Sequence, residues 1–408
     1  ADATDERILN LRLWRDLNQN GTSEANELLT LEQAGIAAIT VAKQENSTLL
    51  PNGNVIADLG SYTKTDGSTG TLGETAQLGD VDLREETFYS QFTDAIPITP
   101  EAALLPNMHG SGQVRGLREA ASLSPDLTTL LQQYAALPTR AEQLNQLDAL
   151  IGGWGGTSSM PTTATGAYAG HALTVTFEGV PAGSPQYNDW LDKLSVLERF
   201  NGRTFRQVPS GTDPVTVAFI TEQMTLLDRS YNALREAVYG SLFPQTRGRA
   251  YLDVIGLTVN SDGDIALDFS ALQTQLDEKL LADPAKGLGD LLDLQSVSGQ
   301  DLDAAGWSAL AYLPHANDLL AETEAGRALL ADPSLLGPNM GTIRLGHTTD
   351  DALQGDGHAN IILAGAGSDF LEVAYGNNLI DGGEGNDYFL AGSGDDTVLG
   401  GEGDDEVH

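Results

Sequence analysis

From Gly346 to His408 one apolar position recurs every nine residues, with no insertion or deletion. Leu353, Ile362, Leu371, Ile380, Phe389, Val398 and Val407 occupy it, each following a half-unit rich in Gly, Asp and Asn. Gly382–Leu390, Ala391–Leu399 and Gly400–His408 are close to an ideal unit. The frame runs back through Val373–Asp381, Ala364–Glu372 and Gly355–Leu363 to a worn unit, Gly346–Gln354. The polar half must bend tightly, which favours residues without a Cβ. The other half reads as a three-residue strand with its central side chain facing inward. Two units then make one 18-residue coil, and each unit stacks on the unit two places away. The expectation is a C-terminal parallel β-roll over 341–408.

Upstream the pattern is different. Residues 36–97 read as strands and turns: Ile36–Ala42 and Val55–Thr65 as strands, Pro51–Asn54 and Thr65–Ser68 as turns. From Ile98 the spacing turns helical. Ser124-Pro125 is an N-cap and first-turn pair, followed by Leu127, Leu130, Leu131 and Tyr134. Thr139–Glu142 is a capping box for a helix expected to end at Gly152-Gly153. Over Asp213–Tyr239, Ile220, Met224, Leu227, Tyr231, Leu234 and Val238 step by three and four, with Gly240 as the stop. A hairpin over Leu257–Phe269 turns at Ser261–Gly263. Weaker helical segments lie at Asp189–Phe200, Leu272–Leu281, Leu302–Leu313 and Asn317–Ala331; 152–166 reads as a loop. These stripes are core faces, and no cofactor is assigned to them.

Charge narrows the choice of partner. The 408 residues carry a formal net charge of −37, which argues against nucleic acid and against anionic membrane. The repeat segment alone holds 14 acidic residues and no Lys or Arg. Without a counter-ion such a segment repels itself and buries little apolar surface. There is no Cys, so disulfides are excluded and bound metal is the available staple outside a cell. No apolar run reaches the length of a membrane span. The chain opens without an initiator Met or signal peptide and its last repeat stops without a cap, so it reads as an excerpt of a larger protein.

The repeat frame resembles the calcium-binding nonapeptide of RTX proteins, G-G-x-G-x-D-x-U-x with U apolar. The sixth position forms two columns, Asp351, Asp369, Asp387 and Asp405 on one side and Asn360, Asn378 and Asp396 on the other. Calcium takes six to eight oxygens, and between successive turns a carboxylate and turn carbonyls from both could supply them. The candidate carbonyls are those of Gly365, Gly367, Gly383, Gly385, Gly392, Gly394, Gly401 and Gly403. The all-Asp column is expected to bind better, since the second supplies less charge. A second motif lies near the start. Asp16, Asn18, Asn20, Thr22, Glu24 and Glu27, with Gly21 at the turn, match the twelve-residue EF-hand loop. A helix with Ile8, Leu11 and Trp14 on one face is expected to lead in over Asp5–Arg15. The outgoing helix is in doubt, because Thr30-Leu-Glu-Gln33 is a new capping box and Gly35 a stop. Asp80, Asp82, Glu85 and Glu86 read as a solvated face.

The N-terminal and middle portions resemble the iron-regulated RTX proteins of the Frp type. Leu11–Gly21, Gly60–Gly67, Phe92-Thr-Asp94, Gly116–Ala121 and Ala250–Gly256 carry the resemblance. It implies export by a type I secretion system, folding in external calcium, and location outside a bacterium or on its surface. It also implies a self-processing module that cleaves an Asp-Pro bond just before itself and links the new carboxyl end to a lysine. Residues 1–97 look like only the later part of that module. Asp213-Pro214, Asp283-Pro284 and Asp332-Pro333 each precede a helical stretch, and read as N-cap and first-turn pairs. The six His show no metal-ligand spacing, and there is no nucleophile elbow or phosphate loop.

The sequence therefore predicts an α+β multidomain chain. Residues 1–97 form an EF-hand-like calcium loop plus strands, 98–340 a mainly α-helical domain, and 341–408 the RTX β-roll. Its expected role is calcium binding within a secreted toxin or adhesin. The alternative is part of a calcium-activated Asp-Pro self-cleaving protein.

Overall fold

A computed structural model describes residues 12–14, 28–49, 55–70, 78–82, 88–165, 167–168, 171–205, 215–259 and 265–408. The chain forms two compact units, divided between Thr87 and Phe88.

In the first unit β1 (Leu13–Trp14) pairs antiparallel with β2 (Leu28–Leu29). Where the helix expected over Asp5–Arg15 is described, at Leu13 and Trp14, it is a strand, because these residues find backbone partners in Leu29 and Leu28. Thr30 and Gln33 close a capping box: Thr30 N–H donates to Gln33 Oε1 at 2.9 Å, and Gln33 N–H to Thr30 Oγ1 at 3.1 Å. It caps a single turn, which Gly35 ends at φ 71°. Then β3 (Ile36–Leu49) runs antiparallel to β4 (Val55–Lys64) with three breaks of register. Both β5 (Thr69–Gly70) and β6 (Leu78–Asp82) pair with β4.

The second unit begins with helices α1 (Pro100–Ala103), α2 (Leu117–Leu123), α3 (Pro125–Ala136) and α4 (Arg140–Gly156). Ser124 caps α3 by accepting from Leu127 N–H at 3.2 Å, and Leu127, Leu131 and Tyr134 form its buried face. Thr139 and Glu142 make the capping box of α4, but the helix runs through Gly152 and Gly153 rather than ending there. Gly153 is a packing contact, since a Cβ on it would lie 2.9 Å from Leu130 Cδ1. Trp154 beyond it is fully buried and donates to the Arg115 carbonyl at 2.8 Å.

Next come β7 (Ala167–Tyr168), β8 (His171–Phe177), α5 (Pro185–Asn201), β9 (Val215–Phe219) and α6 (Thr221–Leu242). Strands β8 and β9 pair in parallel, joined through α5. Val215–Phe219 alternates buried and exposed positions, so the helix expected from Asp213 starts only at Thr221. It also passes Gly240, because Leu242 beyond it packs fully buried in the core. After α7 (Arg249–Leu252), β10 (Gly256–Val259) and β11 (Ile265–Asp268) form the expected antiparallel hairpin. Its turn at Ser261–Gly263 lies outside the described residues, as do Pro51–Asn54 and Asp213-Pro214.

The remaining helices are α8 (Ser270–Ala282), α9 (Pro284–Ala304), α10 (Ala309–Ala321) and α11 (Glu324–Ala331). The segment Leu302–Leu313 is two helix ends rather than one helix. Gly306, at φ 100°, lies between them. Asn317–Ala331 is likewise divided between α10 and α11, with Thr323 capping the latter. Asp283 caps α9, accepting from Lys286 N–H at 3.2 Å, with Pro284 in its first turn.

Eight short strands complete the chain: β12 (Ile343–Leu345), β13 (Ala352–Gln354), β14 (Ile361–Ala366), β15 (Phe370–Glu372), β16 (Leu379–Glu384), β17 (Tyr388–Leu390), β18 (Thr397–Glu402) and β19 (Glu406–Val407). They form two parallel sheets, β12-β14-β16-β18 and β13-β15-β17-β19. Each residue pairs with the one 18 positions on, as in Ile362 with Ile380 and Phe370 with Tyr388. This is a parallel β-roll. Ile362, Leu371, Ile380 and Phe389 are fully buried between its sheets, whereas Val407 on the last strand is 55% exposed.

The roll does not stand apart from the helices. The outer face of its first sheet, through Ile343, Leu345, Ile361, Leu363 and Leu379, shares one core with Leu288, Leu291, Leu292 and Leu313. Asn317 Nδ2 on α10 donates to Asp381 Oδ2 on β16 at 2.7 Å.

Candidate metal centre

The 18-residue stacking brings the sixth positions into register as expected. Along one edge of the roll, Asp351 N–H donates to Asp369 Oδ1 at 2.7 Å, Asp369 N–H to Asp387 Oδ1 at 2.8 Å and Asp387 N–H to Asp405 Oδ1 at 3.0 Å. One carboxylate oxygen thus fixes the register of the coils. The other is left over. Asp369 and Asp387 are each 2% exposed, and the Oδ2 of both is buried without a hydrogen-bond partner. A buried unpaired carboxylate oxygen is costly, and a cation is the partner that removes the cost. Burial and the neighbouring Asp387 and Asp351 carboxylates push the Asp369 carboxyl up to about 6. Burial, with Asp405, also raises Asp387.

The glycines stack as closely as the carboxylates. Gly365, Gly367, Gly383, Gly385, Gly401 and Gly403 all lie at positive φ, between 96° and 141°. A Cβ on Gly383 would lie 1.9 Å from the Gly365 carbonyl oxygen, and one on Gly385 1.7 Å from that of Gly367. Gly401 and Gly403 repeat these contacts one coil on, at 1.9 and 1.6 Å. The first glycine of the unit makes room for the carboxylate itself: a Cβ on Gly382 would lie 2.3 Å from Asp387 Oδ2. Carbonyls and one carboxylate per turn therefore crowd together with no side chain between them, a hard-oxygen donor set that suits calcium. Among the described residues no three His, Asp or Glu side chains gather into a cage. The site type is one of turns rather than of side-chain clusters.

The opposite edge has the same geometry and different chemistry. Asn360 N–H donates to Asn378 Oδ1 and Asn378 N–H to Asp396 Oδ1, both at 2.9 Å. Gly392 and Gly394 lie at φ 73° and 144°. On the two Asn the second branch is a donor, and it is used: Asn378 Nδ2 donates to the Gly376 carbonyl at 2.9 Å, and Asn360 Nδ2 to that of His358 at 2.7 Å. At the worn first unit Asp351 is also supplied, its Oδ2 accepting from His347 N–H at 2.7 Å. The loop of Asp16, Asn18, Asn20, Thr22, Glu24 and Glu27 lies outside the described residues, and so do Glu85 and Glu86.

One polar constellation escapes the sequence pattern. Arg140, Arg247, Asp290 and Asp293, each 7% exposed or less, form a buried ionic network. Arg247 bridges Asp290 and Asp293. Tyr251 OH donates to Asp290 Oδ2 at 2.7 Å, and Lys286 Nζ reaches the same oxygen at 3.0 Å. Arg140 pairs with Asp293 at 3.3 Å and donates to the carbonyls of Leu336 and Pro338, both at 3.1 Å. It ties α4 and α9 to the segment that feeds the roll. Burial raises the Asp290 carboxyl, opposed by Arg247 and Lys286. The one available signal was two acids inside the apolar run Leu288–Leu294 of α9.

Comparison with known proteins assigns the class at the two ends. The RTX calcium-binding nonapeptide repeat matches residues 345–371 and 374–407, and the SPM domain matches residues 1–77. The chain is an RTX calcium-binding repeat protein with an SPM domain. One relative is the iron-regulated protein FrpA of Neisseria meningitidis serogroup C, 34% identical over 318 residues and 72% of this chain. The match covers 27% of that protein's length, so this chain spans about a quarter of its relative.

Proposed function

We propose that this chain is the calcium-binding region of a secreted RTX exoprotein of the toxin or adhesin class, and that it folds on meeting extracellular calcium. The reading rests on the buried, unpartnered Oδ2 atoms of Asp369 and Asp387 beside stacked turn carbonyls. Asp369, Asp387 and Asp405 would hold the ions, with carbonyls of Gly365, Gly367, Gly383, Gly385, Gly401 and Gly403 completing the shell. Calcium would supply there the positive charge that the turns lack. Asp351, Asn378, Asp396, Gly392 and Gly394 are candidates for the remaining ligands, and Asp16–Glu27 for a separate EF-hand-like site. At Kd of about 10⁻⁴ M and roughly 1 mM calcium outside a cell, each site contributes about 1.4 kcal/mol. At cytosolic calcium the sites stay empty and the acidic repeats remain open, which fits export by a type I system before folding. Circular dichroism during a calcium titration tests this. The β signal should rise with calcium and fall in EGTA; an unchanged signal would sink the proposal.

A second reading is favoured by the SPM match at residues 1–77. The chain would then belong to a calcium-activated protein that cleaves an Asp-Pro bond upstream of this segment and passes the new carboxyl end to a lysine. Asp283-Pro284 serves as a helix cap, so the scissile bond is sought before residue 1. A version extended upstream, incubated with calcium and followed by mass spectrometry, should release a fragment ending in Asp. Intact protein with filled calcium sites would remove this reading.

A further inference from the structure

The two edges of the roll present the same backbone to the sixth-position side chain. On both, its Oδ1 accepts the N–H of the residue 18 positions earlier. On both, its other branch lies against the first residue of its own unit. A Cβ on Gly382 would lie 2.3 Å from Asp387 Oδ2, and one on Gly355 2.9 Å from Asn360 Nδ2. Oδ2 and Nδ2 thus occupy equivalent places. On the Asp edge this puts an acceptor there, and the Oδ2 atoms of Asp369 and Asp387 are buried without a partner. On the Asn edge it sets a donor against oxygen. Asn360 Nδ2 donates to His358 O at 2.7 Å and Asp356 O at 3.2 Å; Asn378 Nδ2 donates to Gly376 O at 2.9 Å and to Asp396 Oδ1 at 2.8 Å.

We propose that the roll takes calcium along the Asp edge, and that at Asn360 and Asn378 on the other edge the side-chain amides stand in the place of the ion. This rests on the calcium reading above and deepens it. The amide gives the turn carbonyls the positive partner that calcium gives them elsewhere, without an ion to recruit. An ion added beside Asn378 would have to displace Nδ2 from Gly376 O, and an amide offers it no net charge in return. From Asn360 to Asn378 this edge is therefore a seam that needs no metal, running parallel to an edge that does.

The test converts one edge into the other in the whole 408-residue chain, with bound ions counted by native mass spectrometry and calorimetric titration. Asn378→Asp removes the amide donor, so this variant should bind one more calcium per chain than the parent and need more calcium to gain its β signal. Asp387→Asn installs an amide at the place equivalent to that from which Asn378 Nδ2 donates to Gly376 O. It should bind fewer ions than the parent and gain its β signal at lower calcium than Asp387→Ala, because the new amide repairs what alanine leaves open. Any site in the Asp16–Glu27 loop is common to all the chains and cancels in the difference. Circular dichroism in saturating calcium checks that each variant is folded. An Asn378→Asp chain that folds but binds the parental number of ions overturns the inference, and so does an Asp387→Asn chain no better than Asp387→Ala. A parent that binds no calcium overturns the underlying reading instead.

Discussion

Asp387 meets two neighbours 18 residues away, accepting from Asp369 N–H and donating to Asp405 Oδ1. On the calcium reading proposed above, replacing it by Ala would take a ligand from both adjacent gaps. With about 1.4 kcal/mol per site, the loss at roughly 1 mM calcium is about 3 kcal/mol. The calcium midpoint read by circular dichroism should rise and the transition become less steep. Gly385 is constrained more tightly still. Its φ of 141° and the 1.7 Å approach of a Cβ to the Gly367 carbonyl leave Ala nowhere to go. Gly385→Ala should weaken the last coils by more than the roughly 1–3 kcal/mol of ordinary overpacking, even in saturating calcium, as read by thermal melting. These residues were legible in the sequence because the repeat is local: a nine-residue frame names both the bend and the ladder. That the Asn column turns its amides on its own carbonyls was not legible, because composition gives the charge of a side chain and not its partner.

At the scale of elements, caps and stripes were readable and ends were not. Ser124, Thr139 and Asp283 cap their helices as local chemistry dictates. Gly152, Gly153 and Gly240 do not stop theirs, because burial of Trp154 and Leu242 beyond them outweighs a propensity cost of about 1 kcal/mol per glycine. The apolar residues of Val215–Phe219 fit either period, and pairing with β8 decides for the strand. The Arg140–Asp293–Arg247–Asp290 network joins residues up to 153 positions apart, which no local window reports. Asp293→Ala would leave Arg140 without a carboxylate partner and Arg247 with Asp290 alone, and should cost about 3–5 kcal/mol. Ser124→Ala, the loss of one cap, should cost about 1 kcal/mol. Chemical denaturation in calcium would rank the two; equal midpoints would contradict the network's role.

For the whole molecule, the decisive fact is that the roll and the helices share a core. Leu363 and Leu379 lie on repeat strands, and Leu288 and Leu313 lie on helices, yet they pack in one cluster. Calcium removed by EGTA should open residues 346–408 to protease while most helical signal survives. It should also lower the helices' own melting temperature, as calorimetry with and without calcium would show. A helical transition indifferent to calcium would mean that the shared core contributes nothing. Ile361, Leu363 and Leu379 flank the inward position, and a parallel sheet is usually covered on both faces, but a nine-residue frame does not say which helices cover this one.

The register of 18 has a mechanical side. Drawn out, the 63 residues from Gly346 span about 210 Å at roughly 3.4 Å each. Wound with about 4.8 Å between neighbouring strands, the same residues rise only about 17 Å. Ion capture along one edge would therefore reel in a drawn-out chain more than tenfold, and a load on its end would oppose calcium directly. Held under tension in an optical trap, the segment should shorten in discrete steps as calcium is admitted, and each added piconewton should demand more of it.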